Sequence, residues 1–147
     1  MKIKKLDELQ LIKRGNIFKH CLFAIIGLLL LYIAMIELDI VFLSHSNTLI
    51  LMIIFVVSMF CIEMIHYEIY PLSEKRQRFA YLFAGLFGTA AIIASIYEMV
   101  SGAMGFIEND MLSDAGAGVL MGSLFLAILL AYVCKLISNK KKSEAES

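Results

Sequence analysis

Four long apolar runs separated by polar segments set the pattern of this chain. They predict membrane-spanning helices, because a helix needs about 20 apolar residues to cross the hydrocarbon core of a bilayer. A helix from Phe18 to Ile36, for example, is about 28 Å long, close to the thickness of that core. The predicted spans cover residues 18–36, 48–67, 79–97 and 115–137. We therefore expect an all-α fold, an integral membrane four-helix antiparallel bundle.

The segments outside the spans predict an arm and a tail. Residues 1–17 mix lysines with apolar residues at every third position from Ile3 to Ile12, which predicts an amphipathic arm on the membrane surface. We expect residues 14–16 to break this helix before the first span. A cleaved signal peptide is the alternative, but no small-residue cleavage site follows the first apolar run. Residues 138–147 predict a basic and then disordered tail.

Composition and charge support the membrane interpretation and predict the orientation of the chain across the membrane. Hydrophobic residues make up 61% of the chain, and the mean hydropathy is +0.84, whereas soluble domains are about half apolar. All 13 lysines and arginines lie within residues 1–19, within residues 75–78, or from Lys135 onward. By the positive-inside rule, both termini are therefore cytoplasmic. The basic residues only flank apolar spans, so the lipid bilayer is an expected partner and nucleic acid is not.

Glu63 is the ionisable residue of greatest interest within the spans. It lies about 6 Å inside the predicted end of the second span, and His66 follows three positions later. Together with His20, they predict a polar cavity near the cytoplasm. One hypothesis is a proton or cation site, because ionisable residues within spans usually mark pathways. Alternatively, Glu63 reaches the interface or stays protonated beside a neighbour.

A metal site is a further hypothesis for the same region. Glu63 and His66 match half of the di-iron pattern of helix bundles, which needs a second copy and two more glutamates. Cys21, Cys61 and Cys134 lie at similar predicted depth and would add ligands. Cysteine in an apolar helix more often serves as a small apolar residue, however. We therefore expect three free thiols and neither a metal, a cofactor nor a catalytic residue.

Small residues line one face of the third and fourth spans, and such faces let helices approach closely. The helix-packing candidates are Ala84, Gly88, Ala91, Ser95, Gly118 and Gly122. The first span carries a similar stripe through Ala24, Gly27 and Ala34, which we expect to pack against the third span. The faces of the third and fourth spans also predict contacts with another membrane protein or with a second copy in a homodimer.

Three segments resemble uncharacterised small four-span membrane proteins of Gram-positive bacteria. The segments are Asp7-Glu8-Leu9-Gln10, Arg14-Gly15, and the stretch His66-Tyr67-Glu68-Ile69-Tyr70-Pro71 to Lys75-Arg76-Gln77-Arg78. That family has no assigned activity. The resemblance therefore implies a bacterial plasma membrane and transfers no site residue.

The absence of any strong catalytic motif favours a non-enzymatic integral membrane protein. Such a protein would act by binding another membrane component, as a regulator, an accessory subunit or an immunity-type protein. The alternative is a small oligomeric transporter or channel subunit that uses Glu63 and His66 for proton or cation coupling. A membrane metal-dependent enzyme is the third hypothesis.

Overall fold

The computed structural model describes residues 8–69, 75–108 and 110–145, which form four long helices and one short hairpin. The helices are α1 (Glu8–Glu37), α2 (His45–His66), α3 (Lys75–Val100) and α4 (Asp114–Ala145). The strands β1 (Ile107–Glu108) and β2 (Met111–Leu112) pair antiparallel between α3 and α4. The predicted spans fall on these helices, so the all-α class is confirmed. Residues 1–7 of the predicted arm, residues 70–74 around Pro71, residue 109 and the last two tail residues lie outside the described residues.

The surface of the described residues is strongly apolar. Phe23 on α1 and Leu86 on α3 are 70% and 69% exposed, and large aliphatic side chains are exposed along every helix. All four helices are long and apolar enough to cross a membrane. An apolar exterior on helices of this length is typical of a multi-pass membrane protein.

The expected helix break at residues 14–16 is wrong, because α1 runs without interruption from Glu8 to Glu37. A glycine inside a helix costs only about 1 kcal/mol relative to alanine. Contacts on both sides of Gly15 hold this segment against α2. The Lys13 ammonium lies 5.8 Å from the centre of the Tyr67 ring, and Ile17 is fully buried. In the described residues, the arm and the first span therefore form one continuous helix.

The disorder expected toward the end of the chain is wrong for the residues up to Ala145. α4 continues through the lysines to Ala145. Lysine near a helix C-terminus interacts favourably with the helix dipole. The Lys140 Nζ atom also lies 3.8 Å from Glu144 Oε1, one turn further along, and such pairs support exposed helices.

Polar side chains define the starts of α2 and α4. Ser44 Oγ accepts a hydrogen bond from the backbone N–H of Asn47 at 3.3 Å, and Ser113 Oγ accepts one from Gly116 at 3.1 Å. Each serine satisfies an N–H group that has no partner within its helix. The backbone N–H of Leu112 donates to the Phe42 carbonyl at 2.9 Å. This bond joins the β-hairpin to the α1–α2 connection.

The helices lie beside one another in the order α1, α2, α4, α3. The main core cluster lies where three of them meet, with Ile65 of α2 packed against Ile128 and Tyr132 of α4, and Tyr81 of α3 at its margin. A second cluster joins α1 to the C-terminal part of α2, with Ile17 and Cys21 packed against Met64 and Ile69. α1 therefore lies at one edge of the arrangement, and its only extensive helix contact among the described residues is α2.

Glycines bring α3 and α4 into close contact. A Cβ atom added at Gly88 would lie 2.7 Å from the carbonyl oxygen of Gly122, and one added at Gly122 would lie 2.8 Å from that of Gly88. A Cβ atom at Gly118 would overlap with the hydroxyl of Ser95. The two small-residue faces are thus packed against each other, as helix-packing residues.

The expected packing of α1 against α3 is wrong. α4 lies against the small-residue face of α3, and the principal neighbour of α1 is α2. A Cβ atom added at Gly27 of α1 would meet nothing within 4 Å. A stripe of small residues shows which face permits close approach but does not select the helix that uses it.

Candidate functional site

Two ends of the molecule differ in charge, and we name them by their residues. The basic end carries the lysines and arginines of the described residues, from Lys13, Lys19 and Lys75 to Lys135 and beyond. The acidic end carries Glu37 and Asp39 after α1, and Glu98, Glu108, Asp110 and Asp114 around the hairpin. The first candidate site lies toward the basic end and the second lies toward the acidic end.

His20 and Glu63 join α1 to α2 toward the basic end. Nδ1 of His20 lies 3.2 Å from both carboxylate oxygens of Glu63. With a proton on Nδ1, the imidazole donates a hydrogen bond to the carboxylate. The side chains are 56% and 24% exposed, so the pair contributes at most about 1 kcal/mol to stability. Two of the three predicted site residues therefore meet.

Apolar packing lies beside this pair. Ile17 and Cys21 of α1 pack against Met64 and Ile69 at the end of α2. The ring centres of Phe18 and Phe60 lie 5.3 Å apart between the same helices. Glu63 is thus held beside a tightly packed junction rather than in an open channel.

His66 does not join the pair. It is exposed, its ring packs edge-on against Tyr67, and its carbonyl oxygen accepts a hydrogen bond from Lys135 Nζ at 3.0 Å. Residues three apart on a helix point about 60° away from each other. Glu63 contacts α1 through His20, whereas His66 is the last residue of α2 and contacts Tyr67 and Lys135 instead.

The cysteines named as further ligands have different environments. Cys21 is buried, Cys61 is partly buried and Cys134 is exposed, and all three are free thiols. Within residues 8–69, 75–108 and 110–145, no group of three or more histidine, cysteine and acidic side chains is arranged to hold a metal ion. No observation on the described residues favours the metal hypothesis.

The small residues proposed as partner contacts are largely used inside the chain. Gly88 and Gly122 touch across α3 and α4, and Ser95 lies against Gly118. Ala84 packs at the margin of the main core cluster, and Ala91 is partly buried. A partner of this protein would therefore need a different surface.

The second candidate site is an apolar cleft of about 360 Å³ between α1, α2 and α4. We call it the α1–α2–α4 cleft, and its lining consists of Leu28, Leu31, Met35, Phe42, Leu43, Thr48, Leu51, Met52, Phe55, Leu120, Ser123 and Leu124. Only Thr48 and Ser123 are polar in this lining. Their hydroxyls donate to the backbone carbonyls of Ser44 and Leu120 of their own helices. The wall therefore offers almost no hydrogen-bonding group.

A smaller cavity of about 120 Å³ adjoins this cleft at the acidic end. We call it the mouth pocket, and it shares Met35, Phe42, Leu43 and Thr48 with the cleft. Tyr32, Asp39 and His45 add polar groups to its lining. The Tyr32 hydroxyl and His45 Nδ1 form a hydrogen bond of 3.0 Å. Together the two cavities place an apolar cleft beside a smaller pocket that carries the polar groups of Tyr32, Asp39 and His45.

Sequence reasoning missed the cleft, because its leucine, methionine and phenylalanine residues are typical of every span. The sequence feature that could have located this region is the placement of Tyr32 and His45 at the facing ends of two consecutive spans. Comparisons of the chain with family models, curated proteins and solved structures found no match.

Proposed function

We propose that this protein is a non-enzymatic integral membrane protein that acts by binding another membrane component, as a regulator, accessory subunit or immunity-type protein. The observation that carries the proposal is the α1–α2–α4 cleft, an apolar cavity of about 360 Å³. Ligand sites are typically concave and mostly apolar. A cleft in the membrane-spanning part of the protein would be reached from the lipid phase.

The apolar grooves beside α1 support this proposal. Toward the basic end, α1 is fixed to α2 by the buried Ile17 and by the His20–Glu63 pair. Farther along, a second apolar groove of about 330 Å³ lies between the same helices and shares Leu28 and Met52 with the cleft. The Tyr32–His45 hydrogen bond joins the same helices at the opposite end. α1 and α2 are thus held together at both ends, and the apolar grooves between these contacts are where a membrane component could bind.

The proposed setting is a bacterial plasma membrane crossed four times by an antiparallel bundle with both termini in the cytoplasm. The Tyr32–His45 contact at one end and the His20–Glu63 contact at the other support opposite directions for α1 and α2. Basic residues at one end support the cytoplasmic assignment of that end. A second copy of the chain is one component that such a protein could bind.

The experiment that tests this function uses photocrosslinking from inside the cleft. Phe55 lines the α1–α2–α4 cleft. Phe83 on α3 is exposed and lines neither this cleft nor the groove between α1 and α2. Replacing each in turn with benzoylphenylalanine gives a matched pair of probes. We expect a saturable adduct with one membrane component from position 55 and only bulk lipid adducts from position 83. Identical adducts in equal yield from both positions would contradict the proposal.

The transporter hypothesis keeps some support from the His20–Glu63 pair, with His20 in the role first given to His66. Glu63→Gln tests it, because glutamine can still accept the hydrogen bond from His20 but cannot carry a proton through the cycle. We expect the variant to retain the adduct from position 55 in full. Cation flux driven by a pH gradient in proteoliposomes, present in the parent and lost in Glu63→Gln, would instead establish transport.

A further inference from the structure

Resting on the proposed function, the chemistry of the cleft identifies a class of ligand. The shape of the cleft is the first consideration. It lies between three helices and holds about 360 Å³. An extended alkyl chain is much thinner than a helix about 10 Å wide, so a narrow apolar cleft of this kind can take such a chain along its length.

The polarity of the lining agrees with an alkyl occupant. The Thr48 and Ser123 hydroxyls are engaged with backbone carbonyls of their own helices, and the remaining side chains are apolar. A ligand with polar groups in this cleft would lose hydrogen bonds with water and would find in return only the acceptor lone pairs of these two hydroxyls. A hydrocarbon chain has no such groups to satisfy.

The mouth pocket indicates what lies at the end of that chain. Tyr32, Asp39 and His45 line the pocket and present two polar rings and a carboxylate. The sequence contains no lysine or arginine between Lys19 and Lys75, or between Arg78 and Lys135. An anionic headgroup would find no cationic side chain here and would face the carboxylate of Asp39. Hydroxyl or ammonium groups can donate hydrogen bonds to that carboxylate.

We propose that the α1–α2–α4 cleft binds one acyl chain of a lipid whose headgroup carries hydrogen-bond donors and no net negative charge, with that headgroup at Asp39 and His45 in the mouth pocket. The chain would extend from Phe42 toward Phe55. This assigns a lipid site to the acidic end, away from the basic residues that would attract anionic lipids.

Native mass spectrometry of the purified full-length protein tests the site with three single-chain probes. Monooleoylglycerol carries hydroxyls, oleoyl lysophosphatidylethanolamine carries an ammonium, and oleate is anionic. We expect both of the first two to bind at least about tenfold more tightly than oleate, a difference of about 1.4 kcal/mol. Equal binding of oleate, or no binding of any probe, would overturn the proposal. Comparing the affinities of the first two probes shows whether the site prefers a hydroxyl-bearing or an ammonium-bearing headgroup.

Substitutions then locate the binding. Met52→Trp and Leu124→Trp fill the cleft from α2 and α4, respectively, and each is expected to reduce binding of monooleoylglycerol at least about tenfold. Leu86→Trp, at an exposed position on α3, is the matched control and should bind like the parent. Unchanged binding in both cleft variants would overturn the site. Elution as a monodisperse species shows that each variant is folded.

Asp39→Asn tests the headgroup contact, because asparagine tolerates the positive φ of 57° at this position. Loss of the carboxylate should bring the affinities for lysophosphatidylethanolamine and oleate closer together. An unchanged ratio would remove Asp39 from the site. If the photoadduct from position 55 is a protein rather than a lipid, binding of a membrane component stands and the lipid assignment fails.

Discussion

Replacement of Gly88 by leucine is expected to destabilise the fold by about 3 kcal/mol, at the upper end of the range for overpacked interiors. A Cβ atom at this position would lie 2.7 Å from the carbonyl oxygen of Gly122 and 2.8 Å from Cβ of Phe125. A backbone carbonyl cannot turn aside as a side chain can, so α3 and α4 must separate. Unfolding by SDS in mixed micelles, followed by circular dichroism, measures the change.

Gly27→Leu is the matched control for this prediction. A Cβ atom at Gly27 meets nothing within 4 Å, and leucine favours a helix by up to about 1 kcal/mol over glycine. The control variant should be as stable as the parent or slightly more stable. If the two variants lose stability equally, the close approach of α3 to α4 is not the cause, and the packing assigned to Gly88 and Gly122 is wrong.

Cysteine labelling is expected to give an almost complete difference between the two ends of the molecule. Ser46 and Ser138 are both exposed, the first at the start of α2 and the second near the lysines of α4. In intact cells, a membrane-impermeant maleimide should label Ser46→Cys and leave Ser138→Cys unlabelled. The physical reason is the retention of lysine and arginine on the cytoplasmic side during insertion.

Permeabilised cells provide the positive control, since both introduced cysteines should react there. The parent protein, with its three native cysteines, gives the background under each condition. Labelling of Ser138→Cys in intact cells, or protection of Ser46→Cys, would reverse the proposed orientation. It would also place the mouth pocket on the cytoplasmic side without changing the chemistry of its lining.

The helices were predictable because span length and apolar continuity are physical requirements of the bilayer. Each span needs about 20 apolar residues, and the runs from Phe18 and from Phe79 meet that length with clear polar boundaries. The pairing of His20 with Glu63 could also be predicted from the sequence, because both residues occur toward the same end of consecutive spans. The serine caps at the starts of α2 and α4 follow from ordinary helix chemistry.

The arrangement of the helices was not predictable in the same way. Lipid tails are as apolar as leucine, so hydrophobic pattern does not distinguish a buried face from a lipid-facing one. The small residues of α3 and α4 identified faces, but not that the two faces meet each other. α1 continues through Gly15 beside contacts of Lys13 with Tyr67 and of Ile17 with α2. These contacts join residues far apart in the sequence, so the local pattern around Gly15 could not predict them.

The placement of α4 between α2 and α3 has a consequence for biogenesis. At about 5–20 residues per second, synthesis delivers α4 several seconds after α2. During that interval, Ile65 has no Ile128 to pack against. In the membrane setting that we propose, α1 and α2 would then reside in the bilayer or beside the insertion machinery with that surface uncovered. The last helix made is thus the one that completes the interior, so truncation before Asp114 would leave the insertion of the first three helices possible but their assembly unfinished.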